Sequence, residues 1–221
     1  MVKITSTKLT EERKVKIFAY GKPGSRKTYA IATLPNPIII SAENGLLSLR
    51  EHDIPVIEVK TIEDVYDACA LIENGGYESV AVDSISEIAA LLLEKEDLLN
   101  KDGRAAYGEV QKKITKLVRK FRDLPLHVYM TAKAEKSQDQ EGRILWSPSL
   151  TGTKLGPLLQ HDFDEVFAAR MEQTEDKKGY WYSFMTQGDS SWTARDRSGV
   201  LEKWEPQDLG AIIDKIVRGV K

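Results

Sequence analysis

The sequence is poor in the features that mark a chain for export, for the membrane or for a disulfide scaffold. It has one cysteine, Cys69, so no internal disulfide can form, and a reducing cytoplasm is the expected setting. No apolar run approaches the roughly 20 residues that span a bilayer, and residues 1–14 are polar and charged, without the apolar stretch of a secretory signal. Charge of one sign is missing too: 32 Lys and Arg stand against 34 Asp and Glu, a formal net charge of −2. That balance excludes a protein held on nucleic acid by bulk charge alone; any such contact needs a local patch, or one repeated in an oligomer. His52, His127 and His161 lie far apart with no metal-binding spacing, and one cysteine makes no zinc pattern. There is no Ser-His-Asp motif, internal repeat, low-complexity tract or domain linker. What remains is a chain of 221 residues, 41% hydrophobic and 30% charged, the profile of one globular domain with a sizeable core, spanning 1–221.

Apolar and polar segments alternate in an α/β rhythm. Strands are expected at Val15–Tyr20, Pro37–Ser41, Pro55–Val59, Ser79–Val82 and Leu126–Thr131. A helix is expected at Thr28–Leu34, stopped by Pro35 and Pro37. Another runs over Thr61–Glu73, where Thr61 and Asp64 have capping-box spacing and Asn74-Gly75-Gly76 ends it. Ile85–Leu99 and Ala105–Arg122 read as two more. Residues 134–162 show weak periodicity and read as a long mobile loop, of the kind that is usually functional. Phe163–Arg170 and Tyr180–Thr186 look like a strand pair, Ser198-Gly199 a turn, and Asp208–Val217 a closing helix. The fold class is therefore α/β: a mainly parallel sheet wrapped by helices, with an antiparallel edge late in the chain.

The strongest local signal is Gly21-Lys22-Pro23-Gly24-Ser25-Arg26-Lys27-Thr28, between an expected strand and an expected helix. That is the context of a phosphate-binding Walker A loop. A Gly-rich turn brings backbone N–H groups close to phosphates, and a helix start adds partial positive charge. Gly21, Gly24, Ser25, Arg26, Lys27, Thr28 and Tyr29 are the candidate ATP-binding residues. Lys27 would meet the β- and γ-phosphates, and the Thr28 hydroxyl would ligate Mg2+. The pattern departs at Arg26, where glycine is usual. A side chain there hinders close approach, so slow turnover is one expectation; Arg26 could also point outward, or add positive charge near the phosphates.

Val80-Ala81-Val82-Asp83-Ser84 delivers a carboxylate at the C-terminal end of an apolar strand, where ligands bind in open α/β sheets. Asp83 is the second candidate Mg2+ ligand; alone, it would read as a helix cap. Glu43 follows the strand ending at Ser41, on the same rim, and is a candidate to polarise the attacking water; otherwise it is a surface residue before a turn. Thr131 ends the next strand and is a candidate γ-phosphate sensor.

Taken in order, Lys27-Thr28, Ala42-Glu43, Val82-Asp83-Ser84 and a further strand with a long loop resemble the RecA-like recombinase ATPase core. The stretches KIFAYGKPGSRKT, SAENGLLSL, AVDSISE, GRAAYGEVQKKI, FDEVFAAR and ARDRSG are similar to phage-encoded RecA-like ATPases of single-strand annealing and recombination, over nearly the whole chain. The resemblance implies ATP and Mg2+ as cofactors, hydrolysis, a homo-oligomer and single-stranded DNA as partner, in the cytoplasm of a bacterial host. A single-strand binding protein is a further candidate partner, and no membrane is implied. In such assemblies a basic residue reaches the γ-phosphate of the neighbouring subunit, a role open to Arg197 or Arg195; a salt-bridged turn with Asp196 is the other reading.

Two stretches are candidates for DNA. One holds Lys133, Lys136, Arg143, Trp146 and Lys154, charge with an interleaved aromatic. The other is the helix bearing Lys112, Lys113, Lys116, Arg119, Lys120 and Arg122. Either reads equally as a solvated surface. Trp181, Trp192 and Trp204 read as packing. Three functions follow: a DNA-dependent ATPase, a nucleotide-gated annealing protein with little hydrolysis, or a small-molecule P-loop kinase.

Overall fold

The computed structural model describes residues 13–219 except 44, 74, 100–102, 139–140, 153–154 and 177. Six strands run parallel in the order β7 (Glu165–Gln173), β1 (Lys16–Gly21), β5 (His127–Gln138), β4 (Ser79–Asp83), β2 (Pro37–Ser41) and β3 (Val56–Glu58). Antiparallel strands extend it: β8 (Tyr180–Met185) on β7, β10 (Trp204–Pro206) on β8, β9 (Arg195–Asp196) on β7 and β6 (Ile144–Ser149) on β5.

The parallel strands are buried on both faces, which is why they read as continuous apolar runs. Phe18, Tyr20, Val80, Val82, Val128 and Met130 face α1 (Ile62–Ile72), α2 (Ile85–Leu99) and α3 (Gly103–Arg122). The alternate residues Ile17, Ala19, Ile39, Ala81 and Tyr129 face α5 (Leu209–Arg218) and Ile31. The capping box of Thr61 and Asp64 is formed, and Gly219 ends α5 in the left-handed conformation at φ 64°. Among the described residues no helix is long and apolar enough to cross a membrane.

Two expectations are corrected. The helix expected at Thr28–Leu34 is a single 3-10 stretch, Tyr29–Thr33. Leu34 precedes Pro35 and is extended at ψ 146°, because an α conformation there would clash with the proline ring. Residues 134–162 are not a structureless loop either. The strand β5 runs on to Gln138 and forms a hairpin with β6, followed by α4 (Leu155–Leu159) and a 3-10 turn at Gln160–Asp162. Ala134 and Trp146 pack against the core, while Lys136, on the same hairpin face and directly opposite Trp146, is exposed, so a charge interrupts the two-residue period within that face. Lys154 lies outside the described residues, as do residues 1–12.

At the sheet edge where β1 begins, Glu165 is fully buried and accepts hydrogen bonds from the backbone N–H groups of Arg197 and Ser198, both at 3.2 Å. Burial, with Asp196 beside it, pushes its carboxyl up to about 8. A folded pKa above the unfolded one gives stability present below about 4.5 and lost as pH rises through about 8. Glu165→Gln should therefore flatten the decline in unfolding free energy measured by denaturant titration between about pH 5 and pH 9. An unchanged slope would show that Glu165 ionises freely.

Candidate functional site

The site lies on the rim where the parallel strands end. The strand β1 delivers Gly21 against β7; a methyl group there would meet the Ala169 carbonyl oxygen at 2.6 Å, so glycine is required. The turn that follows places Gly24 at φ 81° and Arg26 at φ 62°. It is pinned from three sides. Ser25 N donates to Lys22 O at 3.2 Å, Gln207 Nε2 to Ser25 O at 2.8 Å, and the buried Tyr129 hydroxyl to Lys27 O at 3.1 Å.

The ammonium of Lys27 turns back onto its own loop, donating to Gly21 O at 2.9 Å and Lys22 O at 3.3 Å. Burial lowers its pKa, opposed by the negative charges of Asp83 and Glu43. The carboxylate of Asp83 accepts from the Thr28 hydroxyl at 2.8 Å and from the Thr131 hydroxyl at 2.5 Å. Burial raises its pKa, and those two hydrogen bonds pull it back down. Glu43 accepts from the Ser84 hydroxyl and stands 3.7 Å from the Lys133 ammonium.

These residues line one cleft of ≈ 600 Å³, whose walls include Gly21, Gly24, Lys27, Thr28, Glu43 and Asp83. The oxygen pair of Thr28 and Asp83 fits a hard divalent cation. Among the described residues no group of three His, Cys, Asp or Glu could hold a metal alone. A cation at that pair would thus complete its shell with phosphate oxygens and water, as Mg2+ does.

The expected residues Gly21, Gly24, Ser25, Arg26, Lys27, Thr28, Tyr29, Glu43 and Asp83 all line this cleft. Thr131 does not. It is fully buried between β4 and β5 and bonded to Asp83 and to Val82 O, so it orients the carboxylate and cannot touch a phosphate. Nor is Arg197 brought here within one chain. The strand β9 pairs with the first residues of β7, at the opposite end of the sheet. There Arg197 donates to His161 O at 3.2 Å, and Arg195 is spent on the Gln160 and Phe163 carbonyls.

Arg26 takes the outward alternative. Its guanidinium lies 4.1 Å from the Tyr182 ring centroid and 5.2 Å from that of Tyr29. An arginine at positive φ is strained, and the two rings offset that strain. Arg26→Gly should change unfolding free energy by no more than about 1 kcal/mol, since relief of strain opposes loss of the cation–π contacts. Turnover should stay within about threefold of wild type, because the guanidinium is engaged by the Tyr182 and Tyr29 rings. A tenfold rise would mean that Arg26 obstructs the site.

The expected DNA-binding residues divide. Trp146 is stacked on Trp192 at 5.1 Å and covered by Lys22 at 4.1 Å, so neither face is open to a base. Trp192 is buried and Trp204 half-buried against Trp181. Lys136 and Arg143 project from the β5–β6 hairpin, and Lys133 lines the cleft instead. His127 is structural: its Nδ1 accepts from Val15 N at 3.0 Å. Sequence reasoning missed Ser84, Glu87 and Lys133 as site residues. The signal for Lys133 was its position two residues after Thr131, on the same strand face.

A protein-family model described as an AAA domain matches residues 13–198. No curated protein matches the chain. Among solved structures, a KaiC-like protein of the hyperthermophilic archaeon Pyrococcus horikoshii OT3 is similar, with a TM-score of 0.50 at 12% identity, covering 82% of this chain and 81% of that one. At that identity the likeness shows the fold.

Proposed function

The chain belongs to the AAA domain family, a P-loop ATPase fold, and on that premise we propose that it binds ATP with Mg2+ and hydrolyses it. The observation that carries this reading is the convergence of Lys27, Thr28, Asp83 and Glu43 on one cleft from three different strand ends.

Bound Mg2+ would supply positive charge that neutralises the developing charge on the phosphate oxygens. Thr28 and Asp83 would hold it. Lys27, already poised on the loop, exchanges the Gly21 and Lys22 carbonyls for the β- and γ-phosphate oxygens. Glu43 accepts a proton from a water whose oxygen forms the new bond to the γ-phosphorus, as the bond to the β–γ bridging oxygen breaks. Ser84 fixes the carboxylate for that transfer.

The proposal extends to single-stranded DNA held along the β5–β6 hairpin, which leaves the cleft at Lys133 and carries Lys136 and Arg143. It extends also to a head-to-tail homo-oligomer, in which Arg197 at the far sheet edge would face the nucleotide of the next copy. Hydrolysis by purified protein tests all three parts. Activity should require Mg2+, disappear with EDTA and rise with single-stranded DNA. A rate indifferent to DNA removes the hairpin reading. For Arg197, a mixture of Arg197→Ala and Lys27→Ala chains should recover activity that neither has alone; no recovery takes Arg197 out of the site.

A further inference from the structure

Two surfaces on the helical side of the sheet lie open, and they are opposite in charge. The first is a groove between α3 and α4. Its two lobes, of ≈ 620 Å³ and ≈ 300 Å³, meet at Gly108 and Gln111. Lys112, Lys116 and Arg119 line the larger lobe from one stripe of α3, about 10 Å from end to end. Leu158 of α4 lines it too and is 38% exposed. Among the described residues no acidic side chain lines either lobe, and the Thr115 hydroxyl in the larger one has no hydrogen-bond partner. Lys112 holds Glu109 at 2.7 Å and Arg119 stands 3.5 Å from Asp162. Lys116 meets no acid among the described residues.

The second surface is the end of α2. Leu98 and Leu99 are 89% and 69% exposed. A single exposed leucine needs no explanation. These two are adjacent, and they stand beside Glu94 and Asp97, both exposed and without an ion pair among the described residues. Glu94, Asp97 and Leu98 share one face of the helix, at i, i+3 and i+4. The result is a knob with carboxylates for a basic stripe and apolar side chains for Leu158.

Knob and groove lie toward opposite ends of the strands. The helix α2 starts on the cleft rim directly after Asp83 and Ser84. Near its end, Lys95 reaches Glu63 at 2.6 Å, in the first turn of α1, which follows the rim end of β3. The knob therefore stays on the rim side. The groove runs the other way: α3 ends at Arg122, shortly before β5 begins at the far end of the sheet. Asp162, beside Arg119, adjoins His161, whose carbonyl holds Arg197.

We propose that the groove takes a second copy of this chain, with the acid–leucine end of α2 in one copy seated between α3 and α4 of the next. This rests on the head-to-tail reading given for Arg197 and adds a contact that holds the copies together. A copy displaced along the strand direction brings its rim to the far end of its neighbour, and both surfaces are on the same side of the sheet. Because knob and groove differ, the contact is heterologous and builds a ring or a filament.

Molecular mass in solution, by sedimentation with Mg2+ and a non-hydrolysable ATP analogue, is the test. The double variant Leu98→Ser, Leu99→Ser should weaken self-association about tenfold or more. Its melting point should hold, since both side chains are exposed. Lys116→Glu should weaken assembly as strongly, because it sets like charges against each other. The leucine variant keeps a groove and the Lys116→Glu variant keeps a knob. Mixed at a concentration where neither assembles alone, they should form pairs and nothing larger. Variants that assemble as wild type does, or a mixture that stays monomeric, overturn the docking and leave the head-to-tail reading standing. Lys116→Glu chains that assemble normally but lose a single-stranded oligonucleotide give the groove to nucleic acid and overturn it too. If wild type itself stays monomeric, the head-to-tail reading fails and the docking with it.

Discussion

Lys27→Ala will fold as wild type does and will lose ATP hydrolysis by about 100- to 1000-fold, the loss expected when one fixed charge donor to a transition state is removed. Two observations separate these effects. The ammonium is paired with loop carbonyls at 2.9 and 3.3 Å, and burial opposes its charge. The structural gain of those bonds is set against the cost of desolvation, so the net change in stability should stay within about 1 kcal/mol. The loop has other anchors in Tyr129 and Gln207. Of the lysines that line the cleft, Lys27 is the one folded over the loop's own carbonyls. Thermal unfolding and steady-state hydrolysis, measured on the same preparation, decide it. A melting point down by more than about 10 °C would make Lys27 a structural residue, and hydrolysis at the wild-type rate would place the phosphates elsewhere.

Glu43→Gln should separate binding from chemistry. Glutamine keeps the length of the side chain and an oxygen to accept from Ser84, but it cannot take a proton from water. Hydrolysis should fall by about 100- to 10,000-fold, the range of a general base. Nucleotide binding should persist or tighten, because the variant removes a negative charge from a cleft that takes polyphosphates. The same substitution releases Lys133, which then pairs with Glu87 alone. Single-turnover hydrolysis together with equilibrium ATP binding reads both effects. Loss of binding would assign Glu43 to holding the nucleotide, and an unchanged rate would pass the proton to another group.

The sequence by itself determined the parallel core of the sheet and most of the phosphate site. Strands buried on both faces must be continuous apolar runs, so β1, β2 and β4 stood out, and the carboxylates at their ends share a rim because parallel strands end together. The sequence gives order and spacing, and those suffice for groups delivered at the ends of parallel strands, such as Lys27, Thr28 and Asp83.

Tertiary structure decided what depends on contacts between distant segments. Whether Arg26 blocks the loop or leaves it turned on Tyr182, 156 positions later in the chain, and no local pattern announces that ring. Thr131 looked like a sensor from its place at a strand end, but its orientation between β4 and β5 gave it to Asp83. The hairpin of β5 and β6 was hidden because a charge, Lys136, stands on the same face as the half-buried Ala134 and Trp146 and breaks the periodicity. Lys133 was legible only as part of a candidate DNA-binding stretch. That its ammonium sits between Glu43 and Glu87 follows from the packing of α2 against β5, which brings together side chains that the chain itself keeps 46 and 90 residues apart.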